Sequence, residues 1–341
     1  MTAASYQVTW FCLLLLFLVA YSVFDGFDLG AGMLTLFTKS EEKRNHLFSA
    51  LAPFWDGNEL WLIMAGASLF AVFPQAFATA LSGFYLPIFI IAVALMLRAA
   101  AFECRHHCRR ATTRRAWEVV FALASFLIPL LLAVALGNII AGLPLSGPHA
   151  YNGSILFLLQ PYPLALAVTG IALIILQGSL FAACKLPAPF AEELRSAASR
   201  WWYIAGAVFV ILTVTMLVMV PTARSLPCAA AAVTAFLALA AAKILMRSAR
   251  ERSAFLASSI AIIAVWLMQA ATLFPNLIRD AADPAASITI FSASAGLGTL
   301  RVLTCIAIPS TICYLGLNWF LYRAFRGKLA PGKDFYGTTE K

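Results

Sequence analysis

Two short acidic segments carry the residues with the greatest chemical potential in this chain. They are Tyr21-Ser22-Val23-Phe24-Asp25-Gly26-Phe27-Asp28-Leu29-Gly30-Ala31-Gly32 and Pro53-Phe54-Trp55-Asp56-Gly57-Asn58-Glu59-Leu60-Trp61-Leu62. In each, two carboxylates stand three residues apart, Asp25 with Asp28 and Asp56 with Glu59, which puts both on one face of a helix. Carboxylates held in apolar segments carry protons or pair with a cation. Arg98, at least a turn inside a third apolar run, is such a cation, with Glu103 and Arg105 nearer the end of that run. A charge at the centre of a membrane helix costs about 2.5–3.5 kcal/mol, so Arg98 either pairs with Asp25, Asp28 or Asp56 or snorkels to the interface. Plainer roles compete: Asp25 and Asp28 can hydrogen-bond neighbouring helices, and Asp56 and Glu59 occupy a first helical turn, where the macrodipole favours acid. Of that second pair, Asp56 is the better candidate. Gly26 and Gly30, four apart, permit close helix packing. Trp55 and Trp61 suit interfacial anchoring ahead of packing against a partner's cofactor or a gas path.

Metal chemistry has weaker support. Glu103-Cys104-Arg105-His106-His107-Cys108 brings thiols and imidazoles together, but it lies in an arginine-rich loop, has no second ligand pair elsewhere, and its adjacent histidines aim poorly at one ion, so no metal is assigned. Buried haems need axial His or Met. The histidines are His46, His106, His107 and His149, none within an apolar run, and Met64, Met96, Met216, Met219 and Met268 read as gap-fillers. The chain is therefore expected to hold no haem of its own. The seven cysteines form no paired framework and read as small buried residues.

The elements that must position these groups follow from composition. At 62% hydrophobic and 11% charged residues, the chain cannot coat a water-soluble globule of 341 residues. Continuous apolar runs, each able to cross roughly 30 Å of hydrocarbon as helix, fall at about 8–36, 54–75, 80–103, 117–141, 163–184, 201–221, 226–246, 254–275 and 299–323. They lack the alternation of barrel strands. The first run has no basic segment before it and is read as a retained helix rather than a cleaved signal. The expected fold is an all-α polytopic transmembrane helical bundle of about nine spans, forming a single integral-membrane domain over 1–341.

The net charge of +9 sits in alternate short loops, which excludes a nucleic-acid face and marks cytoplasmic loops. Lys39, Lys43 and Arg44 follow the first span, Arg105 to Arg115 the third, Lys185 to Arg200 the fifth, Lys243 to Arg252 the seventh, and Arg323, Arg326, Lys328, Lys333 and Lys341 the ninth. This places the N-terminus outside, the C-terminus in the cytoplasm, and the acidic segments toward the cytoplasmic side. The outer loops, about 142–162 and 276–298, are too short to fold alone.

Asp25-Gly26-Phe27-Asp28-Leu29-Gly30 and Trp55-Asp56-Gly57-Asn58-Glu59-Leu60-Trp61 together resemble the signature segments of subunit II of cytochrome bd ubiquinol oxidases. Further similar segments follow in order: Phe70-Ala71-Val72-Phe73-Pro74, Ser82-Gly83-Phe84-Tyr85, Arg98 with Phe102-Glu103-Cys104-Arg105, Gly137-Asn138, Gln177-Gly178, Phe274-Pro275-Asn276 and Phe325-Arg326-Gly327-Lys328. The likeness is dense over 21–105 and thin over 185–260, and it departs at Arg279 and at Ser294-Ala295-Gly296-Leu297-Gly298. It implies a haem-free, nine-helix subunit of the bacterial inner membrane. Its partner, subunit I, would hold two b-type haems, haem d and the quinol site. The complex would oxidise ubiquinol and reduce O2 to water, electrogenically and without pumping. A structural quinone or lipid in this bundle and a small accessory subunit are left open, and membrane lipid is an expected partner. By the same resemblance Asp56 matches a position proposed to help a proton path at the subunit interface, Trp61 one associated with oxygen access to haem d, and Asp25 and Asp28 acidic positions of that region. A stand-alone secondary transporter is the rival reading. It explains intramembrane carboxylates and an arginine, and it predicts broken helices at matching places in two halves.

Overall fold

The computed structural model describes residues 2–146, 150–188 and 190–329; His149, Lys333 and Lys341 lie outside the described residues. Eleven helices carry the described chain: α1 (Ala3–Phe37), α2 (Glu41–Leu51), α3 (Trp55–Val72), α4 (Pro74–Gly83), α5 (Tyr85–His107), α6 (Ala111–Ala141), α7 (Pro161–Lys185), α8 (Phe190–Met219), α9 (Leu226–Arg247), α10 (Glu251–Leu273) and α11 (Leu297–Ala324). Eight are long and apolar enough to cross a membrane, and the bent pair α3–α4 makes a ninth crossing if taken as one span. The architecture is an all-α polytopic bundle.

The structure corrects three sequence readings of these elements. The second run does not continue straight to 75: α3 stops at Val72 and α4 leaves it at 116°. Pro74 has no N–H to donate, and its ring drives Phe73 out of the helical region, to φ −126° and ψ 60°. The supposed loop before the third run is thus the helix α4. Residues 41–51, read as part of a loop, form α2, with the Ser40 hydroxyl accepting from Lys43 N at 3.4 Å and Glu41 and Glu42 in the first turn. Leu47, Phe48, Ala50 and Leu51 bury its inner face. Finally, α8 begins at Phe190 rather than 201, because a hydropathy window registers only the apolar part of a helix that continues into water.

The C-terminal part of α1 and most of α7 form the axis of the bundle. Every residue from Asp25 to Thr35 is buried, as is every residue from Ala172 to Ala183, the pattern of helices surrounded on all sides. Their crossing needs two glycines. A Cβ on Gly30 would overlap the Ile174 carbonyl, and one on Gly178 would overlap the backbone of Gly30 and Ala31. Gly26 meets only ordinary contacts, with Gln177 and Ile174. From the crossing, α7 serves as a shared wall: Ile174, Ile175, Ala182 and Ala183 pack with α1, α3 and α6, while Leu173, Leu176 and Leu180 pack with α8, α9 and α10. Gly30→Ala is expected to lower the melting temperature of the purified protein, at a cost of about 1–3 kcal/mol for overpacking against rigid backbone. Gly66→Ala, where nothing lies within 4 Å, is the control and leaves it unchanged or slightly raised. Equal melting of the two variants would refute the crossing.

The two longer loops do not stand alone. Leu143 N donates to Arg279 O and Ala281 N donates to Leu143 O, both at 2.9 Å, and Arg279 Nη1 reaches Thr222 Oγ1 at 3.0 Å. Two short ribbons lie within them, β1 (Leu145–Ser146) with β2 (Ala150–Tyr151) and β3 (Asn276–Ile278) with β4 (Ile288–Thr289). The cysteine reading needs correction as well. Among the seven, only Cys228 is buried, and Cys12, Cys104, Cys305 and Cys313 are exposed. In a membrane helix the outward face is apolar too, so an apolar neighbourhood in sequence does not mean the interior.

Candidate functional site

The site is built where α1, α3 and α5 meet. Asp25 on α1 and Arg98 on α5 form a two-pronged ion pair, Nη1 to Oδ2 at 2.8 Å and Nη2 to Oδ1 at 2.5 Å, both side chains fully enclosed. Such forked pairs are the strong form of charge-assisted hydrogen bond. Glu59, on the second turn of α3, brings Oε2 to 3.7 Å from Arg98 Nη1 while keeping 17% of its side chain exposed. The Arg98 guanidinium lies 5.8 Å from the Phe121 ring centre, and Tyr21 stands beside Asp25.

One turn along α1, Asp28 faces the same junction. Its Oδ2 accepts from Asn58 Nδ2 at 2.7 Å, and that amide also donates to the Phe24 carbonyl at 3.1 Å, tying the start of α3 to α1. Asn58 Oδ1 accepts from the Tyr322 hydroxyl on α11 at 3.1 Å. Asp28 Oδ1 and Arg98 Nε, both buried, have no protein hydrogen-bond partner among the described residues. Two carboxylates, Asp25 and Glu59, therefore reach one guanidinium, with Asp28 held by Asn58 one turn along α1.

A second ionic cluster closes the adjacent end of the bundle. Glu118 on α6, fully buried, accepts from Arg44 Nε at 2.5 Å, Arg105 Nε at 3.0 Å and Arg115 Nη1 at 3.3 Å. The arginines also cap α1: Arg115 donates to the carbonyls of Thr35 and Leu36, and Arg44 to those of Thr38 and Lys39. Cations at a helix C-terminus are what the macrodipole favours. Arg105 Nη2 bonds Asn45 Oδ1, joining α5 to α2.

Of the residues singled out from sequence, Asp25, Asp28, Glu59 and Arg98 come together. Asp56 and Glu103 do not, since both are exposed on the outside of the bundle. Gly26 and Gly30 lie on the α1 face toward α7. Trp61 is wholly buried, its ring 6.0 Å from Phe24 and 5.0 Å from Tyr314, and Trp55 is nearly so. The anchoring reading is corrected for both, because an anchor must reach the lipid interface and these rings are enclosed by their own chain. Sequence reasoning passed over Glu118, Asn58 and Tyr322. Glu118 stands at the edge of the 117–141 run beside Arg114 and Arg115, where a charge is cheap and gives no signal, and the two other side chains are neutral.

Among the described residues no group of three His, Cys, Asp or Glu is placed to hold a metal ion. His46 is on α2, and His106 and His107 are at the end of α5, His107 being exposed with its Nδ1 3.1 Å from the Glu103 carbonyl.

Comparison with known proteins adds four findings. The family described as "Cytochrome bd terminal oxidase subunit II" matches residues 6–325. The chain is 36% identical over 177 residues to "Cytochrome bd-I ubiquinol oxidase subunit 2" of Escherichia coli (strain K12), an alignment that takes in 50% of this chain and spans only about half, 47%, of that relative. It is 27% identical over 336 residues to "Cytochrome bd ubiquinol oxidase subunit 2" of Bacillus subtilis (strain 168), covering 96% of this chain and 98% of that one. A chain in the structure of bd oxidase from Geobacillus thermodenitrificans shares the fold, with a TM-score of 0.80 at 18% identity, covering 94% of this chain and 98% of that one.

Proposed function

Because the chain belongs to the cytochrome bd terminal oxidase subunit II family, we propose that it is the haem-free subunit II of a quinol:O2 oxidoreductase in the bacterial inner membrane, with its N-terminus outside and its C-terminus in the cytoplasm. The partner is a haem-bearing subunit I with two b-type haems and haem d. Chemistry resides there, and ubiquinol is the substrate of the complex, as the names of the Escherichia coli and Bacillus subtilis relatives suggest. This chain assembles and shields that partner and supplies part of its proton or oxygen access.

The observation that carries this reading is Glu59. It joins an otherwise enclosed ion pair to the outside of the bundle, on a face rich in exposed apolar side chains, among them Ile63 on α3 and Met96 on α5. A carboxylate opening directly onto lipid is unfavourable, so a second protein or a water-lined contact is the suitable cover. Asp28 Oδ1 suits a bound water or a passing proton, and Arg98 Nε, which stays protonated, suits a bound water. Asp56 and Glu103, exposed in the single chain, suit subunit contact. An apolar cavity of about 360 Å³, bounded in part by Leu62 and Ala65 of α3, offers room for a nonpolar gas one residue beyond Trp61. The transporter reading needs broken helices in both halves, and the described residues contain one bent pair, α3–α4.

Purification of parent and Glu59→Gln protein from native membranes tests the proposal. Both are expected to bring a second chain and a haem absorption spectrum, while the variant loses about a hundredfold to ten-thousandfold in quinol-oxidase turnover, the range for removal of a proton-transfer group. A colourless parent overturns the function. Full turnover in the variant overturns the proton role of Glu59.

A further inference from the structure

A groove of about 620 Å³ opens between the end of α1, the start of α2 and α8. Its size is that of a small-molecule site. Lys39, Lys43 and Arg200 line one part of it, and Phe37, Trp201 and Ile204 another. Lys43 is paired with Glu193 at 2.5 Å, whereas the side chains of Lys39 and Arg200 have no ion pair or hydrogen bond among the described residues and are exposed. With three cations against one carboxylate, the groove carries an uncompensated positive charge.

The groove also straddles the change from polar to apolar sequence. On α8 the polar stretch Glu192 to Arg200 gives way at Trp201-Trp202-Tyr203 to an apolar run, and on α1 the apolar run ends at Phe37. Aromatic side chains at such a change mark the lipid headgroup level. Beyond it the α8 exterior continues apolar through Val210 and Ile211. A site that is cationic at headgroup level and apolar just beneath matches one chemistry, an anionic headgroup carried on acyl chains.

We propose that this groove binds an anionic phospholipid, with its phosphodiester between Lys39 and Arg200 and its upper acyl segments against Phe37, Trp201 and Ile204. The site is separate from the Asp25–Arg98 cluster. It rests on the chain spanning a membrane and not on the oxidase reading, so either can fail without the other.

Native mass spectrometry of the complex, released from phosphatidylcholine nanodiscs containing phosphatidylglycerol, reads the lipid that stays bound. The parent is expected to retain phosphatidylglycerol in preference to phosphatidylcholine. Lys39→Gln with Arg200→Gln weakens that retention roughly 30-fold, about fivefold for each cation. Arg247→Gln with Arg250→Gln, elsewhere on the surface, leaves it unchanged. Added inorganic phosphate does not displace the lipid. Unchanged retention in the first double variant, or displacement by phosphate, overturns the proposal. Should that variant fail to assemble, photoactivatable phosphatidylglycerol applied to the parent decides: it labels residues 34–43 and 190–204 above a phosphatidylcholine probe, and absence of that excess overturns the site.

Discussion

Asp25→Asn and Arg98→Gln, each alone, are expected to abolish or sharply reduce recovery of the assembled protein from membranes. The pair is fully enclosed, and removing one member leaves the other charged and without its counter-ion, at a cost of about 3–5 kcal/mol. A domain's whole stability is about 5–15 kcal/mol, so the loss is a large share of it. In Asp25→Asn the nearest remaining carboxylate is Glu59, at 3.7 Å and partly exposed, which is too far for a direct hydrogen bond. The double change Asp25→Leu with Arg98→Met separates structure from chemistry. Replacing a whole buried pair by apolar groups of similar volume is often neutral in stability, so assembly is expected to return. Turnover is not, if the charges serve proton access. The yield of the detergent-extracted complex and its melting temperature report the first quantity, and quinol-dependent oxygen uptake the second. Parental stability in both single variants would mean the ion pair does not form in the protein.

Glu118→Gln is expected to produce the second largest loss, also about 3–5 kcal/mol, because Glu118 bonds Arg44, Arg105 and Arg115 at once and is itself wholly buried. The amide keeps the shape and one acceptor but leaves three guanidinium groups repelling one another. The damage has a predictable place. Arg44 belongs to α2, and Arg105 ties α2 to α5 through Asn45, so α2 is expected to detach first and become cleavable by trypsin in the native complex. Arg115→Gln is milder, since that side chain is 35% exposed and its loss leaves Arg44 and Arg105 on Glu118. Raising the ionic strength does little to rescue Glu118→Gln, because buried charges are poorly screened. Equal trypsin sensitivity and equal melting of parent and Glu118→Gln would contradict this role.

These expectations separate what was legible in the residues from what was not. Asp25, Asp28, Glu59 and Arg98 stand out in the chain because an ionisable group is costly in an apolar run wherever that run ends up. That cost is local, so it can be recognised before anything is folded. Asp56 has the same chemical signature as Glu59 and lies three residues before it, yet it faces out of the bundle while Glu59 reaches Arg98. Spacing places two residues on one helical face but does not say how far along the helix the neighbour's charge sits. Trp61 and the outward-facing cysteines misled for a related reason: hydropathy cannot tell the inward face of a membrane helix from the outward one, since both are apolar.

The residue sequence by itself determined that this chain spans a membrane as an all-α bundle, and which acidic residues and which arginine were costly enough to need a use, because hydration and helix length depend on residue type and run length alone. Only the tertiary structure decided that Asp25 takes Arg98, that Asp28 is held by Asn58, which in turn accepts from Tyr322, that Glu118 gathers three arginines, and that α3 breaks into α4 at Pro74 with so wide a bend. Partner choice between distant helices is set by their depth, rotation and crossing distance. Those follow from contacts such as Gly30 against α7, which no window along the chain contains.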